Sequence, residues 1–507
     1  MRESGILFPI FSIPSRFGIG CFSREAYQFV DFLKESGQGS WQILPVGPTG
    51  YGDSPYQPLS AFAGNPYFIS PDGLIEDGLL TEQEAYSFDF GSNEERVDYG
   101  ALYNNRYNML RIAYDRFVDR GGQQDAEYNE FLEKQSFWLD DYCLYMALKQ
   151  KNNGASWEQW EDDERLKKAS TIKSVKEDLK DACDFIRFQQ YMFEVQWQKL
   201  HSYATEKGIR IIGDIPFYVS LDGADAWSHP EAFQMDKEGH PTVVAGCPPD
   251  AFSPTGQLWG NPIYDWEGRK KNGYEWWMKR MERSFELYDV VRIDHFHGFA
   301  EYYAIPYGDE TAANGKMMPG PGMDFFKVLQ DKFDYLGIND TEDEGIKIIA
   351  EDLGAVTPEN MRLLEESGIP GMKVLQYAFT SWDSYYVPHR HIKNSVVYTG
   401  THDNTPSRAW VEEIGEGDRD YTRRYLNSLN TDYGALVWDF IREAYKSVCD
   451  LCIIPLQDYL VLGREARVNS PGTADGNWQW RLKPNFLSAD LARSIRALSD
   501  LYGRNHS

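Results

Sequence analysis

Positive charge is scarce in this sequence. Against 78 Asp and Glu stand only 51 Lys and Arg, a net charge of −27 at pH 7 with a pI near 4.8. Such a chain offers no basic face large enough to neutralise phosphates, which excludes nucleic acid and anionic membranes as partners. Long apolar runs are missing too. No segment approaches the roughly 18 residues of a membrane span, and the start, Met-Arg-Glu-Ser-Gly-Ile-Leu-Phe-Pro, lacks the apolar stretch of a secretory leader; a cytoplasmic protein is expected. Cysteines are few and mostly scattered, at Cys21, Cys143, Cys183, Cys247, Cys449 and Cys452, as free thiols of a reducing compartment are. Cys449-Asp-Leu-Cys452 has redox-motif spacing, but it runs into an apolar strand and has no second pair to complete a zinc site. No glycine-rich phosphate loop is present either. Gly50–Pro55 lacks the fingerprint spacing, and Gly315-Lys316 lacks the preceding glycine and the following Ser or Thr. Internal repeats and low-complexity linkers are absent.

Aromatic rings are abundant: 15% of residues, with 15 Trp and 32 Tyr. Most belong to a large core, and flat amphipathic rings are also what sugar faces stack on. A chain of 507 residues could make about three average domains, but a single barrel with long insertions reaches the same length. Short β-rich runs ending in polar or glycine-rich turns recur at Trp41–Val46, Asn65–Ser70, Arg210–Ile215, Asp289–Asp294, Lys347–Asp352, Gly371–Gln376, Ser395–Gly400 and Leu451–Leu456. The later runs are almost continuously apolar, as strands of a buried parallel sheet are, and helical patterns separate them. Thr357–Ser367 opens on Thr-Pro and ends before Gly368. This pattern predicts an α/β fold, a (β/α)₈ TIM barrel.

Uneven spacing locates the insertions. A βαβ unit takes roughly 30 residues, far fewer than lie between residues 70 and 210. A mainly helical subdomain is expected over about 71–205, with helices over Tyr103–Val118, Tyr128–Lys149 and Asp181–Glu206. A loop-rich one is expected over about 217–285, carrying a lid at Gly246–Trp266, where proline, glycine and tryptophan make an ordered loop. The whole of 1–507 then forms one catalytic barrel domain.

In a barrel the informative residues are those where the apolar runs stop. Asp214 ends the third run, Asp294 the fourth and Glu351 the fifth, and Asp403 follows the seventh, accompanied by Arg292 and His402. One such acid alone would read as a cap on the following helix; four on one rim point to a site. Arg292 and Asp294, two apart, share one side of their strand. Carboxylates without a His–Cys cluster or a nucleophile elbow suit glycoside chemistry, in which a retaining mechanism pairs an ionised nucleophile with a protonated acid roughly 5 to 5.5 Å away. Arg292 would favour ionised Asp294, and nearby negative charge would keep Glu351 protonated. Asp403 and His402 would grip sugar hydroxyls. His295 and His297 have strand spacing but no further ligand pair, so no metal is expected; His295 is expected to hydrogen-bond substrate or backbone.

The blocks Gly213–Val219 (Gly-Asp-Ile-Pro-Phe-Tyr-Val), Val291–Phe296 (Val-Arg-Ile-Asp-His-Phe), Ile349–Gly354 (Ile-Ala-Glu-Asp-Leu-Gly) and Gly400–Asn404 (Gly-Thr-His-Asp-Asn) resemble, in that order, the amylomaltases. These are the bacterial 4-α-glucanotransferases or disproportionating enzymes, glycoside hydrolase family 77 of the α-amylase superfamily. Ser54–Pro66 and Arg467–Thr473 resemble them too, so the likeness spans the chain. It implies Asp294 as nucleophile, Glu351 as general acid/base and Asp403 as transition-state stabiliser. Asp214, Arg292 and His402 would shape the neighbouring sugar subsite, and Tyr56, Trp259 and Tyr377 would hold glucan. His297 stands where many relatives carry arginine. The resemblance implies transfer of α-1,4-glucan segments from maltooligosaccharide donors to glucose or maltooligosaccharide acceptors, no cofactor, and no β-domain after the barrel. An α-amylase-type hydrolase would use the same acids, and a non-catalytic glucan-binding protein is a further alternative.

Overall fold

Eight parallel strands close into a barrel in the computed structural model, which describes residues 2–249, 253–336, 347–354 and 357–505. They are β1 (Glu3–Leu7), β2 (Ser40–Gln42), β3 (Arg210–Pro216), β4 (Val290–Asp294), β5 (Ile348–Ala350), β6 (Gly371–Val374), β7 (Ser395–Tyr398) and β8 (Leu451–Pro455). Neighbours in the chain are neighbours in the barrel, and β1 pairs with β8 to close it. The expected (β/α)₈ architecture is therefore present. Its strands are buried on both faces, apart from the half-buried ends at Glu3, Arg210 and Asp294, which explains the continuous apolar runs.

Two elements differ from the expectation. Asn65–Ser70 is not a strand: Pro66–Phe68 is a single 3₁₀ turn, with the Asn65 side chain accepting from Tyr67 N. Proline has no ladder donor and its φ suits a helical start, so this apolar hexapeptide caps a turn instead of pairing. The eighth strand is β1, at the extreme start of the chain. The stretch read as one helix over Tyr128–Lys149 is two, Ala126–Lys134 and Leu139–Lys151. Trp138 turns between them, donating its indole N–H to Gln135 Oε1 at 2.7 Å.

Between β2 and β3 lie several helices, among them Tyr99–Asp119 and the 27-residue helix Lys180–Glu206. The aromatic stripe of the long helix is core, with Phe188 packed 5.1 Å from Phe117. Its glutamines reach toward the barrel. Gln190 exchanges two hydrogen bonds with the backbone of Gly64, and Gln196 exchanges two with Ser70. Both anchored residues follow Tyr56 in the chain, and an amide that satisfies both backbone groups of one residue fixes that residue's position. After β3 and β4 the chain builds a separate antiparallel sheet in the order Gln257–Pro262, Val243–Cys247, Glu301–Pro306, Lys316–Pro319. The stretch expected as a lid loop thus contributes a strand pair; its residues 250–252 lie outside the described residues. No described residue after β8 belongs to a strand, and no helix among the described residues is long and apolar enough to cross a membrane.

Candidate active site

Strand register assembles the centre of the site. β3 pairs with β4 so that Asp214 faces Arg292 and Pro216 faces Asp294. The Arg292 guanidinium, a rigid fork, bridges both acids, at 2.6 Å from Asp214 Oδ2 and 3.0 Å from Asp294 Oδ1. Depth separates the three. Asp214 and Arg292 are 0% and 2% exposed, whereas Asp294 keeps 28% of its side chain open. The buried pair forms the floor and Asp294 looks out of it.

Immediately after Asp294 the chain turns left-handed at His295, with φ 56°. That conformation costs a non-glycine residue roughly 1 kcal/mol or more. It aims the His295 N–H at Glu351 Oε2, 2.8 Å away, while Leu353 N–H reaches Oε1 at 2.7 Å. The backbone of Glu351 is held on β4 as well, its N–H donating to Ile293 and its carbonyl accepting from Phe296. The two acids therefore sit at adjacent strand ends with their backbones interlocked. Burial, and then the negative charge of Asp294, push the Glu351 carboxyl up to about 8, against the opposing pull of Arg292 and the two N–H donors. Burial also raises Asp294, with Arg292 again the strongest opposing influence and the charge of Asp403 adding to the rise. Asp214, sealed beneath them, is raised to about 7 by burial.

The opposite wall comes from the β7 end. Asp458, buried after β8, accepts from Thr399 Oγ1 and from the Ser407 N–H and hydroxyl, which braces the turn carrying His402 and Asp403. His402 stacks on Tyr56 with ring centres 4.9 Å apart, and the Tyr56 hydroxyl donates to Asp214 Oδ2 at 2.8 Å. His402 Nε2 lies 3.3 Å from Asp403 Oδ2. Burial lowers the His402 pKa, favouring the neutral ring. Tyr377 accepts from Asn404 Nδ2 at 3.0 Å, beside Asp403. On the far side, the Trp259 indole packs edge-on against His295 at 5.1 Å, and its strand is anchored through Asn261 to the Val219 carbonyl.

All ten residues singled out in the sequence thus gather at the carboxyl ends of β3, β4, β5 and β7 and on the loops around them. Sequence reasoning passed over two supports of Asp403. Asn469 Nδ2 donates to Asp403 Oδ1 at 2.6 Å, and Arg467 donates to the Asp403 and Asn469 carbonyls. The Arg-Val-Asn-Ser-Pro block was the available signal. Tyr218, also passed over, packs elsewhere in the site, 5.5 Å from His295 and 6.3 Å from Trp259. His297 touches His295 with ring centres 3.7 Å apart, and burial lowers both rings, His297 to about 4. Among the described residues no three His, Cys, Asp or Glu side chains group as metal ligands.

This arrangement offers one open carboxylate beside a guanidinium, a second carboxyl that holds its proton through neutrality, and a third acid at the rim. A family model described as 4-alpha-glucanotransferase matches residues 8–488. A 4-alpha-glucanotransferase of Clostridium butyricum is 46% identical over 497 residues, covering 98% of this chain and 99% of that protein. One of Thermus thermophilus is 41% identical over 506 residues, covering 98% of each. Among solved structures, an amylomaltase from Streptococcus agalactiae in complex with acarbose matches at TM-score 0.94 and 35% identity over the full length of both chains.

Proposed function

The chain belongs to the 4-alpha-glucanotransferase family, and on that premise we propose that Asp294, Glu351 and Asp403 carry out its retaining glucan transfer. Asp294 attacks the anomeric carbon of an α-1,4-linked glucan while Glu351 gives its proton to the departing glycosidic oxygen. The reducing-end fragment leaves, and the rest of the donor stays esterified to Asp294. In the second half the 4-hydroxyl of an acceptor sugar attacks the same carbon and returns its proton to Glu351, and Asp294 is released as carboxylate. Asp403, held by Asn469, would grip the distorted ring as positive charge develops. The observation that carries this reading is the unequal setting of two neighbouring carboxyls that burial raises alike: Asp294 pairs directly with the Arg292 guanidinium at 3.0 Å, whereas Glu351 accepts from two backbone N–H groups and is pushed up to about 8.

Donors would be maltooligosaccharides and other α-1,4-glucans, with glucose or a maltooligosaccharide as acceptor. Trp259 and the strand pair behind it would cover the glycosyl-enzyme and exclude water, which favours transfer over hydrolysis. Incubation with maltotriose tests this. A ladder of longer maltooligosaccharides plus glucose, with little net gain of reducing ends, is the expected product; steady reducing-end release would instead support a hydrolase. Asp294→Asn is expected to lower transfer by about three orders of magnitude or more while maltooligosaccharide binding persists. Near-normal turnover in that variant would remove Asp294 from the role of nucleophile.

A further inference from the structure

Of the fifteen tryptophans, eleven are buried and three are half-buried; Trp382 alone is exposed, with 74% of its surface open. Its indole stacks on no other ring among the described residues. Water-facing indole forgoes most of the burial that makes tryptophan useful in a core, so its position calls for an occupant. The chain around it is held in shape. The Ser384 hydroxyl donates to the Tyr377 carbonyl at 2.8 Å, closing the segment 377–384 on itself. Ser381 Oγ donates to Asp383, and the Arg390 guanidinium to the Asp383 carbonyl. Two residues of chain span at most about 7 Å, so the Trp382 backbone stays within that distance of Ser384 and hence close to Tyr377.

Tyr377 opens the same segment. It is 38% exposed, its hydroxyl accepts from Asn404 beside Asp403, and the charges of Asp403 and Glu351 both act on it. The Tyr386 ring lies 5.5 Å from the Tyr377 ring, and the Tyr386 hydroxyl accepts from Gly354 N–H, just beyond Glu351. Tyr385 follows at 5.6 Å, with Lys373 Nζ 3.9 Å above its ring. Tyr377 therefore stands beside the acids, and Trp382 rides on the loop between it and Tyr386.

We propose that Trp382 is an outer stacking platform on this loop, binding sugar units of an α-1,4-glucan that extend past Tyr377, and so sets the chain length this protein prefers. The proposal rests on the transfer reading above. An exposed flat ring on a fixed loop suits the apolar face of a pyranose, and the amphipathic indole needs no hydrogen-bond partner to hold one. A glucan too short to reach Trp382 gains nothing from it.

Trp382→Ala tests this, with transfer kinetics measured on maltotriose and on maltoheptaose. The ratio of KM for maltoheptaose to KM for maltotriose is expected to rise about three- to ten-fold, the range an aromatic contact supports, with kcat on maltoheptaose little changed. Trp382→Phe, which keeps a ring, should retain most of the wild-type ratio and serves also should the alanine variant fold poorly. In the Asp294→Asn background, maltoheptaose should alter tryptophan fluorescence by an amount that Trp382→Phe reduces. An unchanged KM ratio, or an equal rise for both substrates, would overturn the proposal. Failure of the wild-type protein to build a ladder from maltotriose would strike the transfer reading itself, a separate outcome.

Discussion

Glu351 shows how one side chain couples activity to stability. Its folded carboxyl titrates near 8 against an ordinary value of 4.5. Between those values the native protein holds a proton that the unfolded chain has lost, so this residue makes stability fall as pH rises from about 4.5 to about 8, and the loss is constant above. Glu351→Gln removes the ionisation altogether. Its expected phenotype is twofold: transfer falls by several orders of magnitude, and stability rises relative to wild type by about 1–3 kcal/mol above pH 8, a figure discounted from the full shift because the cleft admits water. Thermal melts at pH 4.5 and pH 8.5 read this directly, since the gain should vanish at the lower pH. The transfer rate of the wild-type protein should be bell-shaped in pH, with its alkaline limb from Glu351 losing its proton and its acid limb from Asp294 gaining one. A rate that climbs through pH 8 and beyond would deny Glu351 the role of acid.

Among the elements, β1 was the least legible and is among the most constrained. Arg-Glu-Ser-Gly-Ile-Leu-Phe has only three consecutive large apolar residues, and its pairing partners β2 and β8 lie about 35 and 450 residues away, beyond any local pattern. Apolar density favoured Asn65–Ser70 instead, where Pro66 and the Asn65 cap had the decisive say. The other seven strands were visible because burial on both faces leaves a continuous apolar signature, although the reading ran past strand ends from Ile43, Glu351, Leu375, Thr399 and Leu456 onward. The price of a tight seam sits at Gly5: a Cβ there would stand 2.6 Å from the Ser40 carbonyl oxygen and 2.8 Å from Ile453 Cδ1. Since backbone of β2 supplies one of those contacts, no rotamer change relieves it. Gly5→Ala is expected to destabilise the protein by about 1–3 kcal/mol, read as a lowered urea midpoint at unchanged slope. A neutral result would show that the seam between β1 and β2 opens more easily than the register indicates.

For the molecule as a whole, what the sequence revealed and what it concealed follow from distance along the chain. The four acids were readable because a barrel assigns chemistry to strand ends, a rule that needs only local patterns. Asn469 and Arg467 meet Asp403 from 66 and 64 residues further on, and their contacts exist only after the chain has closed. The same holds for the closure itself. Arg504, fully buried, donates to five backbone carbonyls: Tyr445, Ser447, Cys449, Asp450 and Glu3. Those carbonyls precede β8 and open β1, so this guanidinium, together with that of Arg2, which also donates to the Tyr445 and Ser447 carbonyls, pins the seam where the first and last strands meet. Its planar fork supplies five N–H donors, whereas a lysine offers three from a single nitrogen. Tyr445 and Ser447 keep a second donor in Arg2, and Asp450 keeps the Glu3 N–H; Arg504→Lys, which reaches at most three of the five carbonyls, is therefore expected to lose about 1–3 kcal/mol, and Arg504→Met to lose more. The seam lies at the amino-terminal ends of the strands, away from the acids, so transfer activity per folded molecule should persist at 25 °C while the urea midpoint falls. If Arg504→Lys unfolded at the wild-type midpoint, closure of the barrel would have to rest on Arg2, the β1–β8 ladder and core packing.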